Sequence, residues 1–259
     1  MKIVVCVKHV PDSTSQRGFD PSDWTVDRAG VDGLLSELDE YAVEEALRIA
    51  GGDGEVVVLT MGPAQAADAV RRALQMGAGS GVHVLDDAVH GSDALATSLV
   101  LATALQRIGD YDLVLCGMAS TDGAMGVMAA MLAERLGMPQ LSFATEVSVA
   151  GDLVTVRRDA DLAMETVEAR MPVVLSVTDQ INEPRYPSFK LIMAAKKKPV
   201  QTWSLTDLDL DVELVGLSAA RTAVRAVEPR PARTAGTVVT DDGQGGSRLV
   251  EFLAGQRLV

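Results

Sequence analysis

Four runs of the chain are predominantly apolar, and between them apolar positions recur every three or four residues. KIVVCVKHV (2–10), EVVVLTMG (55–62), GVHVLDD (81–87) and DLVLCGM (112–118) are apolar enough to predict strands covered on both faces, as in a parallel sheet. The intervening LDEYAVEEALRIAGG, AQAADAVRRALQMGAG and SDALATSLVLATALQRIGD have helical spacing and a glycine near the end of each. The order β-α-β-α-β-α-β predicts an α/β fold, a doubly wound and mainly parallel sheet with right-handed crossovers. From about residue 145 the period changes to two around Gly151-Asp152, which predicts a short antiparallel hairpin leading into one more buried strand at 172–178. Beyond 200, TDLDLDVELVG and EPRPARTAGTVVTDDGQGG are too polar and too broken for a core. They predict an extended arm that ends in one short helix in SRLVEFLAGQRLV. The expected division is an α/β domain over 1–204 and a C-terminal arm over 205–259.

Composition narrows the class. With 47% hydrophobic and 23% charged residues in 259, the chain is globular, and its longest apolar runs fall far short of the roughly 20 residues of a membrane helix. Met1-Lys2 leads straight into IVVCV without a leader pattern, so a cytoplasmic location is expected. Cys6 and Cys116 each sit in an apolar run, which favours buried thiols over a disulfide. A net charge of −13 argues against nucleic acid as a partner. Against that background EPRYPSFKLIMAAKKKPV (183–200) stands out, joining prolines, large apolar residues and three consecutive lysines.

The usual catalytic signatures are missing. His9, His83 and His90 show no metal-ligand spacing, and no nucleophile elbow, phosphate-loop motif or dinucleotide fingerprint is found. No metal site and no catalytic residues are expected. What remains is GMASTDGAMGVMAAMLAERLG (117–137), a glycine-bearing loop after the fourth buried strand that runs into a helix. Its glycines let the backbone approach a ligand, and N–H groups at a helix start favour an anion. The loop also lies beyond a strand's carboxyl end, where open α/β sheets bind ligands. The same spacing equally fits an ordinary strand-to-helix turn capped by Ser120, Thr121 or Asp122.

Several stretches resemble the beta subunit of electron transfer flavoproteins over nearly the whole length: Val7-Lys8, DEYAVEEAL (39–47), MGPAQA (61–66), METVEARMPVVLS (164–176), RTAG (233–236) and, most specifically, NEPRYPSFKLIMAAKKKPV (182–200). The resemblance implies a non-catalytic electron carrier, a heterodimer with an alpha subunit that supplies most contacts to one redox-active FAD, and an AMP of structural role in this chain. The arm would wrap the alpha subunit, with Leu249, Phe252 and Leu253 docking on it. Electrons would come from acyl-CoA and related dehydrogenases, as in fatty acid beta-oxidation, and leave towards the respiratory chain through electron transfer flavoprotein-quinone oxidoreductase. Only 3% of residues are aromatic, which fits a flavin that depends on a second subunit.

Carried over residue by residue, the resemblance implies an AMP site of Cys6, the segment Ser36, Glu37, Leu38 and Asp39, Met61, and the loop Gly117, Met118, Ala119, Ser120, Thr121, Asp122, Gly123, Ala124, Met125, Gly126, Val127 and Met128. Met118, Ala119 and Ala124 stand where the family commonly has lysine, glutamine and a second acid, and Ser36-Glu37-Leu38 replaces Asn-Pro-Phe, so backbone recognition of a phosphate is the expectation here. Asp161 and Glu165 are implied at the flavin and alpha-subunit junction, although Leu162-Ala163 replaces a glycine pair. The dehydrogenase-docking segment would comprise Pro184, Arg185, Tyr186, Phe189, Ile192, Met193, Lys196, Lys197 and Lys198, with Phe189 in the place of an anchoring leucine. A helix over about 188–198 packed on the chain's own core stays open beside it. Two alternatives remain: an electron-bifurcating form with a second FAD in place of AMP, and a universal-stress-type ATP-binding module, which leaves 182–200 unexplained.

Overall fold

A computed structural model describes the chain except for residues 16–17, 229–230, 233–235 and 237. Most of the RTAG run therefore lies outside the described residues. The chain forms two compact units, Met1–Ala223 and Val224–Val259.

The first unit opens with β1 (Lys2–Cys6), two small antiparallel ribbons made by β2 (His9–Pro11) with β5 (Gly33–Leu35) and β3 (Gly18–Phe19) with β4 (Val26–Asp27), and α1 (Glu37–Ala50). There follow β6 (Glu55–Met61), α2 (Ala67–Met76), β7 (Ser80–Val84), α3 (Ala94–Ile108), β8 (Leu113–Gly117), α4 (Met128–Leu136) and β9 (Gln140–Ala144). The antiparallel trio β10 (Glu146–Ala150), β11 (Leu153–Asp159) and β12 (Met164–Arg170) precedes β13 (Val173–Val177), α5 (Phe189–Ala195), β14 (Val200–Trp203) and the short α6 (Gly216–Ala219).

The seven-stranded sheet runs β14-β7-β6-β1-β8-β13-β9, and every pairing in it is parallel. It is the expected doubly wound α/β fold. Alternate residues explain the apolar runs: Ile3 and Val5 face α1, α2 and α5, while Val4 and Cys6 face α3 and α4, so each strand is covered twice. The order of the strands reverses between β1 and β8, and the crevice at that reversal is where such sheets hold ligands.

Four details differ from the sequence expectation. The first strand stops at Cys6, because the Lys8 N–H donates to the buried Asp39 carboxylate at 2.9 Å and leaves the sheet. The edge strands β9 and β14 were not foreseen. The hairpin has a third strand, with Val154 and Val156 buried against the core. The boundary placed at 204 falls inside the first unit, since Leu205, Leu208 and Val215 are buried on the α3 face. In the second unit, α7 (Gly245–Gly255) exposes Leu249 and Phe252. Among the described residues no helix is long and apolar enough to cross a membrane.

Candidate nucleotide crevice and docking face

The crevice between β1 and β8 is organised by Asp39. Its carboxylate is buried and accepts the Lys8 N–H at 2.9 Å, and the Gly117 N–H is its second backbone donor. It thus ends two neighbouring strands at once. Burial raises its pKa to about 7 against the pull of these donors and of the Lys8 charge. Gly117 is required here: a Cβ would stand 2.6 Å from Asp39 Oδ1 and 2.7 Å from the Leu38 carbonyl oxygen. Ser36, which caps α1, is fully buried, and its Oγ has no hydrogen-bond partner.

The loop 117–128 leads from the end of β8 into α4. The Gly123 N–H donates to Ser120 Oγ at 3.2 Å, and Gly126 holds a φ of +66°, in the left-handed region that glycine tolerates best. A Cβ added at Gly126 would stand 3.6 Å from the ring of Phe143, a residue itself at a φ of +58° whose N–H donates to Ser176 Oγ at 2.9 Å. Asp122 is the electrostatic centre. Its side chain is 1% exposed and pairs with Lys8 Nζ at 2.9 Å and Arg28 Nη2 at 2.6 Å. Burial alone would raise its pKa, but the two cations and their hydrogen bonds hold it well below the usual carboxylate range.

Of the residues the resemblance assigned to AMP, Ser36, Leu38, Asp39 and Gly117 thus lie together beside the Lys8 backbone, and Asp122 of the loop is joined to them through the Lys8 side chain. Cys6 and Met61 end β1 and β6 nearby. Cys6 is buried on the α3 face beside its strand neighbour Cys116, whose thiol is pushed up by the hydrogen bond with Cys6 and by burial. Glu37 is exposed and takes a 3.4 Å hydrogen bond from Ser13. Lys8 and Arg28 were missed. A lysine directly after the first buried strand was the available signal for one; Arg28 lies among residues without periodicity.

The segment 182–200 forms a second feature, fixed at both ends. Asn182 donates to the Tyr41 carbonyl and to Glu45, Arg185 grips Glu44, and Arg72 lies over the Tyr186 ring. At the far end Lys198 Nζ donates to the Leu74 carbonyl at 2.9 Å, in the last turn of α2. Between the anchors α5 buries Ala195 and half-buries Leu191 and Ile192, while Phe189 is 78% exposed. Met193, Lys196 and Lys197 are exposed too. The expected helix is thus present but shorter, Phe189–Ala195, and packed on the core through Ala195, with Phe189 protruding from its start. Arg185 and Lys198 serve as anchors within the chain.

Of the junction residues, Asp161 is exposed beside a fully exposed Leu162, and Glu165 pairs with this chain's own Arg158 at 2.6 Å.

The parallel sheet with helices on both faces and a strand reversal between β1 and β8 defines a doubly wound α/β domain, a class that holds ligands at such a reversal. The model of the electron transfer flavoprotein domain family matches residues 23–208. The chain is 46% identical to the electron transfer flavoprotein subunit beta of Mycobacterium tuberculosis, over 99% of both chains, and 35% identical to that of Megasphaera elsdenii, over 100% of both. It is also 36% identical to the caffeyl-CoA reductase-Etf complex subunit CarD of Acetobacterium woodii, over 93% of this chain and 92% of that one. The chain belongs to the electron transfer flavoprotein family, among its beta subunits.

Proposed function

We propose that this chain is the beta half of a heterodimeric electron carrier that binds AMP in the β1/β8 crevice, shares one FAD with an alpha subunit, and presents 184–198 to acyl-CoA and related dehydrogenases. The observation that carries the nucleotide part is the crevice itself: an unpartnered buried Ser36 hydroxyl, a glycine packed flat against Leu38–Asp39, and a loop with two cations over it. These suit a hydroxylated, anionic ligand. Bound flavin would supply the electron-accepting chemistry. The residues of this chain on that side, Phe143, Leu162 and Met164 around the Arg158–Glu165 pair, leave apolar surface uncovered, as an intersubunit site requires. Electrons would pass on through a quinone oxidoreductase to the respiratory chain. The arm from Val224 onward, with Leu249 and Phe252 exposed on α7, would clasp the alpha subunit.

The same crevice supports a second reading. Backbone donors and two cations accept a pyrophosphate as readily as a phosphate monoester, so a second FAD is the alternative occupant. Co-expression with the alpha subunit, followed by flavin and nucleotide counting, tests both. One FAD and one AMP per heterodimer is the expected result, and none in the chain alone for FAD. Two FAD and no AMP would select the second reading, while a flavin-loaded homodimer of this chain would reject the first.

A further inference from the structure

We propose that Lys8 and Arg28 are the phosphate-recognising pair of the crevice, and that Asp122 is an internal carboxylate that holds both cations over the loop. This rests on the nucleotide reading above and assigns it residues outside the loop.

The two cations reach the loop from elsewhere in the chain, Lys8 from the end of β1 and Arg28 from the excursion between β4 and β5. Both converge on one carboxylate. Asp122 takes Lys8 Nζ at 2.9 Å on one oxygen and Arg28 Nε and Nη2 at 3.1 and 2.6 Å on the other. Lys8 Nζ also stands 3.4 Å from Ser120 Oγ, in the 120–123 turn of the loop, where the Gly123 N–H donates to the same hydroxyl. Counting two cations against one anion leaves an excess positive charge. Asp39 behind them does not cancel it in full, since burial raises its pKa to about 7.

The Asp122 carboxylate is sealed at 1% exposure while Lys8 and Arg28 keep 41% and 33% of their side chains open to solvent. The cations thus show the solvent side an anion-receptive surface, with their countercharge behind. A second unsatisfied group lies on the backbone beside Lys8: Ser36, whose N–H donates to the Lys8 carbonyl at 2.9 Å, is buried with a hydroxyl that has no hydrogen-bond partner.

The test is calorimetric titration of the nucleotide-stripped, full-length chain with AMP and with adenosine. Wild type should prefer AMP by at least about tenfold, a preference that shrinks with added salt. Arg28→Met and the double variant Lys8→Met/Asp122→Asn should each lose about tenfold of that preference while adenosine binding stays unchanged. The double variant removes the cation together with the carboxylate it neutralises, so no unpaired charge is left buried. Asp122→Asn alone should tighten AMP several-fold, since it removes the competing anion and keeps an acceptor for the cations. An AMP preference that survives in both cation variants overturns the assignment and leaves the nucleotide site standing. An Asp122→Asn variant that loses AMP as the cation variants do overturns it as well. Wild type that binds neither compound rejects the nucleotide reading, and the assignment with it.

Discussion

Arg185 grips Glu44 across 141 positions of sequence, with Nε at 2.6 Å and Nη2 at 2.9 Å and its backbone N–H adding a third contact at 3.2 Å. Glu44 lies near the middle of α1 with its side chain 8% exposed. Burial alone would raise its pKa, but the hydrogen bonds and charge of Arg185 lower it on balance. The pair pins the stretch before α5 to a helix of the core.

Removing one partner should therefore act on the docking segment before it acts on the fold. Arg185→Met leaves a nearly buried carboxylate unpaired, at a cost of about 1–3 kcal/mol after allowance for solvent around the arginine. The expected outcome is a lower melting temperature and a raised KM for reduction by a dehydrogenase, with kcat little changed. An unchanged KM would show that the anchor does not position the docking tip.

Phe189 is exposed and contributes little to its own fold. Phe189→Ala should leave melting temperature, flavin content and reduction by dithionite as they are, and slow reduction by the dehydrogenase more than tenfold, the effect of losing about 2 kcal/mol at an interface anchor. Loss of flavin with normal electron acceptance by the intact fraction would refute the docking role.

The glycines of the crevice should fail in different ways. Gly117→Ala places a methyl group against the Leu38 backbone and the Asp39 carboxylate, so the subunit itself should be destabilised. Gly123→Asp asks only that the Ser120 hydroxyl, 3.1 Å from the added Cβ, give way slightly, and should fold yet exclude AMP by placing a negative charge in the loop. Gly126→Asp adds backbone strain at a φ of +66° and should lose both AMP and stability. Thermal melts with nucleotide analysis separate the three, and normal AMP content in Gly123→Asp would reject the site.

Two carboxylates of the crevice give opposite pH dependences. The folded pKa of Asp39 is raised from 3.8 to about 7, so its protonated form is favoured by folding. Stability should be highest below about pH 4 for this group and fall as pH rises towards 7, by up to about 4 kcal/mol. Asp122 is shifted downward; its contribution is present above about pH 4 and is lost as pH falls below. Denaturant titrations of wild type and Asp39→Asn between pH 4.5 and 7.5 test this. The decline should vanish in the variant, and equal slopes would refute the assignment to Asp39.

The architecture was legible because doubly covered strands leave a plain mark, unbroken apolar runs such as EVVVLTMG. β9 and β14 left none. QLSFA and VQTW are short, mixed segments that become strands only by pairing with β13 and β7, a decision made by tertiary context. The early end of β1 was hidden for a similar reason: the acceptor that draws Lys8 out of the ladder is Asp39, at the start of the next helix. The glycines of the 117–128 loop could be read locally, whereas the convergence of Lys8 and Arg28 on Asp122 exists only once three distant segments are folded together.

The connection from β13 to β14 carries the chain from one side of the sheet to its opposite edge, past four intervening strands in the order, with α5 along the way. Pairing β14 to β7 joins Val200 to Gly81, a contact of long sequence separation that forms slowly during folding. Along that path α5 is held from both sides, by Arg185 on Glu44 of α1 before it and by Lys198 on the Leu74 carbonyl of α2 after it. The exposed Phe189 tip thus rides on a span tied down at both ends, and its position is inherited from two helices of the core and not from the edge strand alone.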